Sequence, residues 1–87
     1  MAEFKVNQVV KNRRGNVGVV MGFNNKPSLV VFEGFVTPTK KFDENFKTKN
    51  HEYDIVEVYE GKKVENYTDV YRKSFDLSTL KKVYKEV

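Results

Sequence analysis

The stretch Val17-Gly18-Val19-Val20-Met21-Gly22-Phe23 decides the fold class. Its side chains repeat with a period of two, the period of a strand, and not with the 3.6 of a helix. On a pleated chain Val17, Val19, Met21 and Phe23 share one face, and Gly18, Val20 and Gly22 share the other. Two glycines on one face predict a sharp bend or the close approach of another backbone. Working outward, residues 6–11, centred on Val9-Val10, read as the preceding strand. Asn12-Arg13-Arg14-Gly15-Asn16 is the turn between them, with Gly15 and Asn16 suited to the positive φ of a tight turn. On the other side Asn24-Asn25-Lys26-Pro27-Ser28 is a turn cluster. Residues 29–35 then read as a third strand, apolar enough to be covered on both sides. Connections this short make antiparallel neighbours, so the expectation is a three-stranded meander.

The second half is less regular. Residues 36–50 contain Pro38, which breaks a ladder, and polar residues without a strand period, so they read as a long loop insertion. Within it Phe42 and Phe46 stand four apart and suit one helical turn docked on the sheet. Residues 53–59, Tyr-Asp-Ile-Val-Glu-Val-Tyr, read as a fourth strand. A hairpin-like turn follows at Glu60-Gly61-Lys62-Lys63, and Val64 starts a short return strand. Residues 66–87 form a C-terminal extension. Asn66 caps a short helix over residues 67–73. Leu80, Val83, Tyr84 and Val87 have helical spacing behind Asp76, while the rival reading is a 3-10 turn at 76–80 and a closing strand at 82–85.

Composition agrees with strands. Fifteen valines stand against three leucines, one isoleucine and one alanine, with seven phenylalanines and five tyrosines. The 87 residues allow one domain with a small core. With no cysteine in the sequence, a disulfide scaffold, a thiolate metal site and a cysteine nucleophile are excluded. No apolar run approaches the ~20 residues of a membrane span, and the start of the chain lacks the apolar core of a secretory signal. The expectation is a cytoplasmic protein with no membrane association.

Val9-Val10, Arg14-Gly15, Gly18-Val19-Val20 and Leu29-Val30-Val31-Phe32 together resemble the first three strands of small SH3-like barrels of the KOW type. Residues 53–59 are similar to strands in short bacteriophage and prophage proteins. The resemblance implies a mainly β fold, α+β at most: a small SH3-like, partly open barrel with one or two short helices in its C-terminal half. It also implies RNA or protein contacts through the barrel loops.

No catalytic constellation is visible. His51 is the one histidine, and Ser28, Ser74 and Ser78 lack the glycines of a nucleophile elbow. His51, Glu52 and Asp54 are close in sequence, but the second histidine of a zinc-protease motif is replaced by Ile55, so all three read as solvated side chains. No cofactor or metal is expected. An enzyme would require its carboxylates to converge through the fold alone.

Charge carries more information. Residues 1–52 have a net charge of +4, residues 53–66 of −2 and residues 67–87 of +2. Lys11, Arg13 and Arg14 flank the first turn, and Lys26 stands in the next. Lys40, Lys41, Lys47 and Lys49 alternate with Phe42 and Phe46 in the long loop. Cations between aromatics suit phosphates and unpaired bases. The ordinary alternatives are solubilising lysines and phenylalanines that plug the core. The sequence thus predicts a non-enzymatic protein-interaction or regulatory accessory module. It would dock on a larger host or viral protein through its long loop and surface tyrosines. A nucleic-acid-binding module is the alternative.

Overall fold

The computed structural model describes residues 3–32, 34–60, 78 and 80–86. The protein is mainly β. Six strands, β1 (Val9–Asn12), β2 (Val17–Phe23), β3 (Lys26–Phe32), β4 (Phe35–Pro38), β5 (Ile55–Glu60) and β6 (Lys81–Lys85), form one antiparallel sheet. Its order is β4-β3-β2-β1-β5-β6, so β4 and β6 are its edges and the sheet stays open, in the manner of a partly open barrel. The helical content of the described residues is two 3-10 turns, Thr39–Lys41 and His51–Tyr53, and Ser78, which is also in 3-10 conformation, within the turn that one reading places at 76–80. Both turns lie between β4 and β5, and the second falls in the C-terminal half, where short helices are expected. The turn and return strand expected at 60–64 and the helix expected at 67–73 fall outside the described residues, apart from Glu60, which ends β5. Of residues 76–80, Ser78 and Leu80 are described.

β2 has the bounds and the two faces that its alternation dictates. Val10, Val20, Val30, Phe32, Ile55 and Val58 bury on the inner face together with Phe4 and Phe42. Val9, Val19, Tyr59 and Leu80 bury on the outer face, with Val17 and Met21 against them. The glycines sit where another chain comes close. A Cβ on Gly18 would meet the Phe32 ring and the Val31 carbonyl oxygen at 2.8 Å, and one on Gly22 would lie 1.8 Å from the Lys26 carbonyl oxygen.

Several boundaries differ from expectation. Asn7, at φ 76°, stops the first strand from starting at residue 6. Asn12 is the buried last residue of β1, and its carboxamide bonds to the backbone and side chain of Asn16. Gly15 takes the positive φ of that turn and Asn16 does not. The next turn is just Asn24-Asn25, at φ 52° and 62°, the pair of left-handed residues that a tight two-residue hairpin needs. Lys26 and Pro27 therefore belong to β3. Pro27 is tolerated because it lies beyond the last β3–β4 pair, Leu29 with Pro38, and beside the irregularity at Met21/Gly22.

The apolar run 29–35 is two strands. The chain reverses between Phe32 and Phe35, with Gly34 at φ 86°, and the two rings stack at 4.8 Å. Residues 36–38, expected to open a loop, complete β4, and Pro38 is accepted at the end of an edge strand. The fourth expected strand starts two residues late, because Tyr53 belongs to a 3-10 turn. Residues 81–85 are strand and not helix, pairing with β5 from Glu60–Lys81 to Glu57–Lys85.

The glycine contacts give a first prediction. Gly22→Ala must displace backbone and should cost about 1–3 kcal/mol. Gly15→Ala meets open space and carries only the left-handed penalty, about 1 kcal/mol. Urea unfolding of the two variants should rank them in that order.

Candidate interaction surface

The strand register distributes the sequence-predicted basic residues between two ends of the sheet. The β1–β2 turn, the β3–β4 turn and the start of β5 share one end, since Gly18 pairs with Phe32 and Asn12 with Ile55. The β2–β3 turn, the end of β4 and Glu60 share the other.

At the first end the two arginines are engaged. Asp54 has no solvent exposure. One carboxylate oxygen accepts the Thr48 backbone N–H at 2.7 Å, and the other accepts from Arg13 at 3.3 Å and lies 3.0 Å from His51 Nδ1. Burial alone would raise its pKa. The Thr48 N–H, His51 and Arg13 outweigh it and hold the carboxyl below the usual 3.8. Arg13 also donates to the His51 carbonyl at 3.0 Å and to Glu86 at 2.7 Å, and these carboxylate bonds raise its pKa, Glu86 first. Arg14 lies over the Tyr53 ring at 5.7 Å, donates to its hydroxyl at 3.2 Å and pairs with Glu52 at 3.7 Å. Lys11 is half-buried and faces Glu57 in the β1–β5 register. Lys47 and Lys49 are exposed. The expectation of a solvated Asp54 is thus overturned: its partner Arg13 arrives from 41 residues away. His51 remains exposed.

Phe42 and Phe46 belong to the core. Phe42 is buried and meets Phe4 edge-on at 5.4 Å. Phe46 is half-buried between Phe4, at 5.1 Å, and Tyr84, at 4.6 Å. Neither ring is free to stack on a base. The tyrosines expected at the surface are withdrawn too: Tyr59 is buried and Tyr53 and Tyr84 are half-buried. Tyr67 and Tyr71 lie outside the described residues.

Among the described residues the exposed phenylalanine or tyrosine ring is one that the alternation of β2 places on a strand face without showing its exposure. Phe23 ends β2 beside the Asn24-Asn25 turn and is 86% exposed. The register aligns Met21 with Leu29, Leu29 with Pro38, and Val31 with Val19 and Val36. Phe23, Met21, Leu29, Val31, Val36 and Pro38 therefore form one apolar strip across the outer face of β2, β3 and β4. Val36 is 52% and Leu29 39% exposed. The rest of the outer face is covered: Leu80 packs on Val9, Val19 and Tyr59, and Lys82 lies over the Tyr59 ring at 5.5 Å. Tyr59 donates to Glu57, and this bond, ahead of Lys82, Lys11 and Lys85, holds the Glu57 carboxyl low. Burial, then Glu57, pushes the Tyr59 hydroxyl up to about 12.

Lys26, Lys40 and Lys41 edge the open strip. Lys26 pairs with Phe23 across the hairpin, and the Thr39–Lys41 turn follows Pro38 directly and packs on β3. All three lysines are exposed, and none forms an ion pair among the described residues.

On the inner side a cavity of about 530 Å³ opens between Gln8, Glu44, Phe46, Glu60 and Tyr84. The carboxyls held low, Asp54 and Glu57, do not line it. Among the described residues no three His, Cys, Asp or Glu side chains converge as metal ligands, and no helix is long and apolar enough to cross a membrane. No protein-family model, curated protein or solved structure matches the chain.

Two pH predictions follow from the buried groups. Asp54 has a lower pKa folded than unfolded, so its stabilisation is complete above about pH 4 and is lost as pH falls through the native value. Asp54→Asn should lower stability at neutral pH by about 2 kcal/mol and flatten the acid limb of the stability curve. Urea unfolding across the acid range checks both. Tyr59 has the opposite sign: its stabilisation is full below about pH 10 and fades towards about 12. Tyr59→Phe should remove that alkaline loss, as read from thermal melts at rising pH.

Proposed function

We propose that this chain is a non-enzymatic protein-interaction module that docks on a larger protein through the outer face of β2, β3 and β4. The observation that carries this reading is the open apolar strip of Phe23, Leu29 and Val36. A sheet face in a small domain is ordinarily polar where water reaches it, and a contiguous apolar area left open marks a contact surface. Aliphatic Leu29 and Val36 favour a protein partner, because bases stack on flat rings and gain little from branched side chains. The resemblance of residues 6–35 to SH3-like barrels implies RNA or protein contacts through loops, and it is the apolar face that favours protein here; with the resemblance of residues 53–59 to phage proteins, the reading is a small accessory factor.

The test uses the full chain against a displayed library of random dodecapeptides. Wild type should enrich peptide families, and the double variant Phe23→Ser with Val36→Ser should bind them at least ~10-fold more weakly while melting like wild type. Absence of enrichment, or binding indifferent to the double variant, would refute the reading. Saturable, steeply salt-dependent binding of oligothymidylate that Phe23→Ser abolishes would assign the face to single-stranded nucleic acid instead.

A further inference from the structure

We infer that the partner of this face is an extended, acidic polypeptide segment in which aspartates or glutamates alternate with apolar residues. The inference rests on the interaction reading above and adds the chemistry of the occupant. The strip has an apolar floor and a cationic margin on one side. Phe23, Leu29 and Val36 form the floor, and Lys26, Lys40 and Lys41 stand at the end where the β2–β3 hairpin closes and β4 stops.

The strands position these groups. Paired residues on neighbouring strands point to the same face, so Lys26 projects beside Phe23. Pro38 continues the face next to Leu29, and Lys40 and Lys41 follow within three residues of it. The acidic residues that follow Lys40 and Lys41 in sequence are directed elsewhere or engaged. Asp43 turns back on its own segment, accepting from the Asn45 and Lys47 N–H groups at 2.8 and 3.1 Å. Glu44 lines the inner cavity.

Contrast with the opposite end defines the specificity. There Arg13 and Arg14 are matched by Asp54, Glu86 and Glu52 within the chain. The three lysines at the Phe23 end have no such match among the described residues, so their charge is open to an acidic partner that covers the strip. An exposed lysine rim steers an acidic partner and penalises a basic one, while the apolar floor provides the desolvated contact. An extended segment suits the site, because its side chains project to alternate sides and can meet a floor and a margin together.

The experiment repeats the dodecapeptide selection with wild type and with the triple variant Lys26→Glu/Lys40→Glu/Lys41→Glu. Melting temperature confirms that the exposed substitutions leave the fold intact. Lys40→Glu alone serves if the triple variant fails to fold. Wild type should enrich peptides rich in Asp and Glu together with apolar residues, with affinity that falls as salt rises. The triple variant should bind these peptides at least ~10-fold more weakly and shift its own selection toward Lys and Arg. Selected peptides that depend on Phe23 but carry no acidic bias, or a bias unchanged in the charge-reversed variant, would overturn this inference and leave the interaction reading standing. No enrichment in either protein would defeat both. Displacement of selected acidic peptides by oligothymidylate from wild type but not from the triple variant would overturn the acidic-segment assignment in favour of a polyanion site.

Discussion

A carboxylate with no access to water must find its partners within the protein, and Asp54 draws them from three places. Thr48 brings the segment that crosses the inner face, His51 the second 3-10 turn, and Arg13 the β1–β2 turn. Through Arg13 the network reaches Glu86, just past β6. Backbone bonds repeat the connection, with Arg13 N–H donating to the Asp54 carbonyl and Glu86 N–H to that of Val56. Once these segments are fixed, residues 42–50 must run across the inner face, and Phe42 and Phe46 are pressed onto Phe4. That segment closes the open side of a sheet that hydrogen bonding between strands leaves open.

The same demand for partners explains the division of the charge. A net charge of +4 suggests a broadly basic surface, but the cations around Asp54 have roles inside the fold. Arg13 is planar and forked, so it serves two carboxylates and a carbonyl at once, which a lysine ammonium would do less well. Among the described residues the far end has no buried carboxylate to satisfy. Its cations are lysines, long and hydrated, and they stand beside Phe23, the one phenylalanine or tyrosine ring that is exposed among the described residues. The useful quantity is therefore the charge left over after internal pairing, and Lys26, Lys40 and Lys41, part of that remainder, lie beside Phe23.

What the sequence made legible follows the range of the interactions involved. β2 could be read to the residue because its alternation is local and both of its faces carry apolar side chains. Asn24-Asn25 was legible as a turn, but its extent was not, because Lys26-Pro27-Ser28 looks like more turn unless the end of β4 is known. The break inside residues 29–35 carried a signal, Glu33-Gly34, which the apolar residues on either side concealed. β6 was legible only as one of two readings, a closing strand at 82–85 against a helix, because an edge strand with exposed Lys81, Lys82 and Lys85 has little alternation to read. Asp54 was out of reach, since nothing near it in sequence announces an arginine that joins it across 41 residues.

The strip itself shows why a contact surface was harder to read than a core. Val17, Val19, Met21 and Phe23 follow one rule of alternation, yet the outer face is covered at Val19 and open at Phe23. The difference lies in what arrives from elsewhere. Leu80 packs against Val9, Val19 and Tyr59 over β1 and β5, whereas β3 and β4 carry the face outward with Leu29 and Val36 and no described residue caps it. Edge strand β4 is short and ends in proline, features that limit indiscriminate strand pairing. The molecule therefore keeps its edge unattractive while its face remains apolar. That combination selects for a partner recognised by side chains, and the lysines beside Phe23 determine which side chains those are.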